Sequence, residues 1–270
     1  MSERPKITRR VLLAGAAAAP LAACAGPDVG AGAPPTGNAL ATTAGPSSPS
    51  ASAVRPSPPT DAASSAPSGP ASEVVHGPDG PHVALTFHGS GTPALAESLL
   101  LVAERRSVAV TVLAVGTWLQ QQPQVAARIL RGGHELGNHT LHHLPMRTMS
   151  EGEAYEEISR GAQLVRAATG VLGWFRPSGL TNAPPAVLAA AGRAGYRTSV
   201  SFDVDPQDYD DPGSATVVRR VLAGARRGSI ISLHLGHVGT VQALPAILDG
   251  LGARGLRPVT LSSLLVGVAQ

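Results

Sequence analysis

From about Glu73 onward, short apolar runs typical of buried strands alternate with longer segments of helical periodicity. The clearest example is a predicted strand at residues 82–87, followed by a predicted helix at 93–106 and a second strand at 108–115. Strands that alternate with helices form parallel sheets, because each helix carries the chain back to the start of the next strand. The pattern therefore predicts an α/β fold, a parallel sheet or barrel with helices outside.

The alternation continues to the C-terminus. Further helices are predicted at residues 123–131, 151–168, 185–195, 215–225 and 241–254, and further strands at 198–202 and 229–234. In a βα barrel, chemistry collects at the carboxyl ends of the strands. Polar residues follow three predicted strands there: His88, then Asp205 and Asp208, and finally His234. We therefore expect the functional site at this edge.

Two imidazoles stand four residues apart at His139 and His143. On one helical turn, this spacing puts both rings on one face, within reach of a single metal ion. A polar turn whose histidines face solvent would have the same sequence. The pair alone therefore leaves metal binding open.

The first 24 residues are typical of an export signal. They combine Arg9 and Arg10 with an alanine-rich apolar stretch that ends in Leu-Ala-Ala-Cys at Cys24. The paired arginines resemble a twin-arginine signal, and the last four residues resemble the lipoprotein box, in which the cysteine is lipidated. An ordinary signal peptide or a membrane helix is the alternative, although the apolar stretch is short for a span. The prediction is an exported protein, lipid-anchored on the outer face of the cytoplasmic membrane.

Residues 25–72 consist almost entirely of Ala, Gly, Pro, Ser and Thr. Such a segment buries too little apolar surface to offset its ordering entropy, which predicts a disordered linker before a domain at 73–270. The first 23 residues hold four basic residues and one acidic residue, which leaves 17 of the 21 basic and 17 of the 18 acidic residues beyond them. This balance gives no indication of nucleic-acid binding.

Five motifs, in order over roughly residues 80–266, resemble those of the polysaccharide deacetylases of the NodB-homology group, carbohydrate esterase family four. The strongest match is His-Thr-Leu-His-His at 139–143. The resemblance implies a distorted (β/α) barrel and hydrolysis of acetyl groups on a cell-envelope polysaccharide such as peptidoglycan. It also implies a divalent metal, with zinc expected, held by His139 and His143, while His142 points elsewhere.

The third and fourth motifs supply further candidate residues. Phe-Arg-Pro-Ser-Gly at 175–179 is similar to the family's third motif, which implies that Arg176 orients the catalytic base and that Gly179 contacts substrate. The run from Asp205 to Tyr209 is similar to the fourth motif, with tyrosine in place of tryptophan. By this resemblance, Asp205 and Tyr209 contact the sugar.

The fifth motif is a strand that ends in Leu233 and His234. The resemblance implies that His234 is the general acid, supported by Asp208, and that Leu233 contacts substrate. Each residue also has a structural interpretation: Arg176 as an ion-pair residue, Asp208 as a cap, and His234 as a core histidine. Because the three residues occur in the order of the family's motifs, the functional interpretation is favoured over the structural one.

The first motif departs from the family, because Thr86-Phe87-His88-Gly89 stands where the family has Thr-Phe-Asp-Asp-Gly. The missing aspartates supply the base and the third metal ligand. If no residue is deleted, His88 replaces the base and two protein ligands remain. If one is deleted, His88 is the third ligand of a three-histidine site, an arrangement that binds zinc and lowers the pKa of its water to about 7.

Two further interpretations remain open. The first is a degenerate enzyme that binds glycan without cleaving it. The second is an anchored solute- or metal-binding lipoprotein, which the predicted linker favours and the βα motifs do not.

Overall fold

The structure is a computed structural model that describes residues 69–265 of the 270-residue chain. The predicted export signal, the candidate lipidation site Cys24 and most of the predicted linker lie outside the described residues. Ala71 is buried, and its backbone N–H donates to the carbonyl of Leu188. The described domain therefore includes the last residues of the predicted linker.

Strands and helices alternate along the described residues. The strands are β1 (Ser72–Val74), β2 (His82–Gly89), β3 (Thr111–Ala114), β4 (Glu135–Asn138), β5 (Thr198–Val200), β6 (Ile230–His234) and β7 (Arg257–Val259). The α-helices are α1 (Pro93–Arg105), α2 (Gly116–Gln121), α3 (Pro123–Arg131), α4 (Glu151–Thr169), α5 (Pro185–Arg193), α6 (Ser214–Gly224), α7 (Val238–Ala253) and α8 (Leu261–Leu264). None of these helices has the length and apolar character that a membrane span requires.

The strands pair in parallel around β2, which lies between β3 and β6. Strand β4 extends the sheet beyond β3, β7 pairs with the start of β2, and β1 pairs with β5. Isolated β-bridges close the barrel. Phe175 joins Asn138 of β4 to Ser199 of β5, and Val204 pairs with Ile231 of β6. This arrangement confirms the predicted distorted (β/α) barrel.

Sequence patterns predicted the long helices and strands β2, β3, β5 and β6, but missed strands β1, β4 and β7 and the short helices α2 and α8. The predicted helix at 123–131 has the observed bounds of α3, whereas the strand predicted at 108–115 is reduced to Thr111–Ala114. Strands β1, β4 and β7 have three or four residues each. In β4, Leu136 is the only large apolar residue, so this strand has too little apolar alternation to be recognised before its neighbour is known.

Local signals explain where the longer helices begin and end. Helices α1 and α3 start at Pro93 and Pro123, residues favoured in a first turn because proline lacks the N–H that would go unpaired there. Helix α4 starts with a capping box, in which Ser150 and Glu153 satisfy each other's backbone N–H groups. It ends at Gly170, whose φ of 79° closes the last turn.

Side-chain alternation along β2 and β6 separates the core from the site. Phe87 and Leu233 are fully buried in the hydrophobic cluster shared with helices α1 and α7. Successive strand residues point to opposite faces, so His88 and His234 face the other way and line a cleft. The apolar side chains of Phe87 and Leu233 therefore point outward to the helices, and the imidazoles of His88 and His234 point into the barrel.

Gly137 of β4 is expected to be intolerant of a side chain. A Cβ there would stand 2.7 Å from the Trp174 carbonyl oxygen and 2.6 Å from Leu113. We expect Gly137→Ala to lower the free energy of unfolding by about 1–3 kcal/mol, measured by urea denaturation. Gly152→Ala, on the exposed first turn of α4 with open space around it, is the control and should be neutral or stabilising by up to ~1 kcal/mol. Equal stability of the two variants would contradict this account.

Candidate active site

His139 and His143 lie on a turn after β4 and not on a helix. The backbone of Thr140 and of His143 is left-handed, with φ of 67° and 60°, which a continuous right-handed helix does not contain. The predicted helical turn is therefore wrong. The ring centroids are nevertheless 4.9 Å apart, because the left-handed residues fold the turn back on itself.

Asn138 holds this turn in shape. Its Oδ1 accepts a hydrogen bond from the Thr140 backbone N–H at 3.0 Å, and its Nδ2 donates to the carbonyl of Ile158 and to the hydroxyl of Tyr196. The Thr140 hydroxyl in turn accepts from the backbone N–H of His143 at 3.2 Å. Asn138 is buried and uses both ends of its amide, so it fixes the turn to α4.

The His142 side chain points away from His139 and His143. Its Nδ1 lies 2.6 Å from Oε1 of Glu157, and its backbone N–H donates to Oε2 of the same carboxylate at 2.8 Å. Glu157 is buried on α4. These contacts add a second attachment between the turn and α4.

His88, at the carboxyl end of β2, completes a cluster of three histidines. Its ring centroid lies 4.2 Å from that of His139 and 6.4 Å from that of His143. One ring nitrogen from each histidine lies within 4.8 Å of the other two. The structure thus brings together the three residues of the three-histidine hypothesis.

Two ring nitrogens of this cluster are buried without a protein partner: Nδ1 of His88 and Nε2 of His139. The other nitrogen of His139 lies 2.9 Å from the carbonyl of Arg176, which can only accept, so Nδ1 carries the proton and Nε2 a lone pair. Buried lone pairs without partners are unfavourable, and a cation satisfies them. Three imidazoles are also a known ligand set for zinc, so the residues present fit a divalent metal.

Burial keeps these imidazoles neutral. It lowers the pKa of His88 and of His139 well below the usual range, and neighbouring histidines lower both further. Burial also lowers the pKa of His143, with a smaller contribution from His234. Neutral imidazole is the form that binds metal, so the direction of these pKa shifts favours metal binding.

His234, at the carboxyl end of β6, is paired with Asp208. Its Nδ1 lies 2.7 Å from Oδ1 of Asp208, while Oδ2 accepts from the His234 backbone N–H at 2.8 Å and from the Thr240 hydroxyl. Asp208 is almost fully buried, so three donors satisfy a carboxylate that solvent does not reach. The His234 ring is 4.3 Å from His88, which places this pair beside the three-histidine cluster.

Arg176 is fully buried and holds the walls of the barrel together. Its guanidinium donates to the Thr86 hydroxyl of β2 and to the carbonyls of Val200 and Ser201. Burial lowers the pKa of Arg176 to about 9, opposed by the negative charge of Asp205. These contacts are structural. The resemblance implies that Arg176 orients a catalytic base, but its guanidinium bonds instead to the Thr86 hydroxyl and to two backbone carbonyls.

A cleft of about 500 Å³ opens over the histidines. Gly179, Asp205 and Tyr209 line it, as expected for substrate-contacting residues. The Tyr209 side chain is 43% exposed, and its ring is 5.1 Å from that of His234. Leu233 does not line the cleft: strand alternation turns its side chain into the core, which corrects its assignment as a substrate contact.

Sequence reasoning missed two groups that line the cleft. Ser232 lies 3.2 Å from the His88 ring, and only the register of β6 against β2 places it there. His237 lies 3.0 Å from Asp211. Asp211 and His237 are 26 residues apart, as are Asp208 and His234, and each lies three positions after its counterpart. This repeated spacing is the sequence signal that could have indicated the second pair.

Comparisons with known proteins identify a family of similar sequences. A family model described as polysaccharide deacetylase matches residues 76–199. A peptidoglycan-N-acetylglucosamine deacetylase from Bacillus cereus is 33% identical over 188 residues, which cover 68% of this chain and 87% of that protein.

Solved structures share the fold. A peptidoglycan N-acetylglucosamine deacetylase, solved with an N-hydroxybenzamide compound, has a TM-score of 0.67 at 27% identity, covering 72% of this chain and 92% of that one. A family-four pseudoenzyme from Bacillus anthracis has the same TM-score at 22% identity, covering 72% and 68%. The second likeness concerns the fold alone.

Proposed function

The chain belongs to the polysaccharide deacetylase family, carbohydrate esterase family four, and we propose that it removes N-acetyl groups from peptidoglycan in a metal-dependent reaction. The observation that carries this proposal is the three-histidine cluster, with two buried unpaired ring nitrogens, beside the His234–Asp208 pair. The Bacillus cereus relative is a peptidoglycan-N-acetylglucosamine deacetylase, which supports the substrate class.

His88, His139 and His143 would hold the metal. We propose zinc, because three histidines that leave one position open are a catalytic zinc set. When bound, the ion supplies a Lewis acid that polarises the acetyl oxygen and activates water. His88 is assigned as a ligand and not as the base, because its Nδ1 is one of the buried unpaired nitrogens of the cluster.

His234 is assigned the proton transfer to the leaving nitrogen. Asp208 engages Nδ1 of His234, so Nε2 is the atom that delivers the proton. Arg176 supports the site by fixing Thr86, two residues before His88. Tyr209 and Asp205, on the cleft wall, are assigned to the sugar, because an exposed aromatic ring offers an apolar face and the carboxylate accepts hydroxyl hydrogen bonds.

A second candidate function is glycan binding without cleavage. Among the described residues that line the cleft, Asp205 is the only carboxylate, and it is exposed. The cleft therefore has no buried carboxylate to serve as base, and this favours a degenerate enzyme. Zinc binding without acetate release from peptidoglycan fragments or chitooligosaccharides would support this candidate over the first.

Metal removal should abolish activity. We expect acetate release from N-acetylated peptidoglycan fragments to fall at least about 100-fold after chelation and to return with zinc. His139→Ala should lose both bound zinc, measured by elemental analysis, and activity. His82→Ala is the matched control, because His82 is exposed at the start of β2, six residues before His88. Full activity of the chelated protein would refute metal dependence.

The Asp208 carboxylate should be needed for turnover and not for metal binding. We expect Asp208→Asn to reduce kcat by roughly 10²–10⁴, the usual contribution of general acid catalysis, with zinc content unchanged. Asp210→Asn, on an exposed position of the same 3₁₀ turn, is the control. Circular dichroism checks the fold of each variant. An unchanged kcat in Asp208→Asn would remove His234 and Asp208 from the mechanism.

We also propose that residues 1–24 direct export, that Cys24 carries the lipid, and that residues 25–68 link it to the catalytic domain, which already includes Ala71 and Ser72. The paired arginines and the lipoprotein box support this assignment. Cys24→Ser should move the protein from the membrane fraction to the soluble fraction, followed by immunoblotting, with activity on soluble fragments unchanged. Retention of the variant in the membrane fraction would contradict lipidation at Cys24.

A further inference from the structure

Ser232 contacts the ring of His88 from the neighbouring strand. It is almost fully buried on β6, directly opposite Thr86 of β2, and its hydroxyl oxygen lies 3.2 Å from Nε2 of His88. The side chains of Ser232 and His88 both line the cleft. The contact therefore depends on strand register, which leaves the serine little freedom to move away.

The proton of a neutral His88 ring can sit on either nitrogen. If the Ser232 hydroxyl donated to Nε2, the proton would sit on Nδ1, which is buried and has no acceptor among the described residues. If instead Nε2–H donates to the hydroxyl oxygen, Nδ1 keeps a lone pair. Only this second arrangement leaves His88 a nitrogen that can bind a metal.

In His139, too, one ring nitrogen has a partner and the other has none, but the two nitrogens are exchanged relative to His88. Its Nδ1 donates to the carbonyl of Arg176, and its Nε2 is the buried nitrogen without a partner. The rings of His88 and His139 are 4.2 Å apart. In each ring, one nitrogen contacts a group of the barrel wall and the other is buried without a partner.

We propose that Ser232 is a positioning residue, which fixes the orientation and tautomer of His88 so that His88 binds the metal through Nδ1 while His139 binds it through Nε2. The proposal rests on the proposed function only in that a metal occupies the cluster. It assigns Ser232 a role that follows from the histidine at position 88, because a carboxylate there would have no N–H to donate to a hydroxyl.

The test compares three variants by zinc affinity, measured by competition with a chromophoric chelator. Ser232→Ala should bind zinc about 10–100-fold more weakly, the usual effect of losing a partner that orients a ligand. Ser232→Thr keeps the hydroxyl and should retain most of the affinity. Ser199→Ala is the matched control, since Ser199 is a buried serine on β5 whose hydroxyl has no partner, and its affinity should be unchanged.

A second measurement reads the tautomers directly in the metal-free wild-type protein. Nitrogen-15 NMR of the histidine side chains at neutral pH should show the proton of His88 on Nε2 and that of His139 on Nδ1. In Ser232→Ala, the preference of His88 should weaken while that of His139 persists. This wild-type measurement needs no variant to fold.

The outcomes separate the two proposals. Wild-type protein that binds no zinc overturns both this inference and the proposed function. Zinc affinity that is equal in wild type and Ser232→Ala overturns only the role of Ser232. A wild-type His88 protonated on Nδ1 likewise overturns the ligation mode and leaves metal-dependent deacetylation standing.

Discussion

The parallel register between β2 and β6 is the constraint on which the site depends. It pairs His88 with His234 and Thr86 with Ser232. Because side chains alternate along a strand, this register turns all four toward the barrel interior and sends the apolar residues between them to the helices. A shift of one residue would put the histidines of one strand into the hydrophobic core, so burial of that core also fixes the active-site geometry.

Arg176 connects this register to the opposite side of the barrel. Its guanidinium reaches Thr86 on β2 and the carbonyls of Val200, the last residue of β5, and of Ser201, while its own carbonyl accepts from His139. A buried cation is unfavourable unless its donors are satisfied. Each of the three Arg176 nitrogens donates to an oxygen, and a pKa of about 9 leaves the group charged at neutral pH. The same residue thus joins the walls of the barrel and fixes the tautomer of His139.

The sequence predicts the fold class and the identity of most site residues, because long helices and motif order are local information. It does not predict how the histidines meet. His139 and His143 lie close together, but the helical turn that the spacing suggests is a left-handed turn held by Asn138. Ser232 and Leu233 show the same limit, since strand register and side-chain alternation decide that Ser232 lies beside His88 and Leu233 in the core.

Replacing a carboxylate by His88 changes the charge balance of the site as well as its ligands. Three neutral imidazoles would leave the charge of a bound divalent cation uncompensated, and the Arg176 guanidinium adds positive charge at His88. The negative charges beside the cluster are Asp208, buried behind His234, and Asp205 on the cleft wall. Neither carboxylate belongs to the three-histidine cluster, and Asp208 contacts the site through His234, so an ion held by the cluster would be bound by neutral ligands alone.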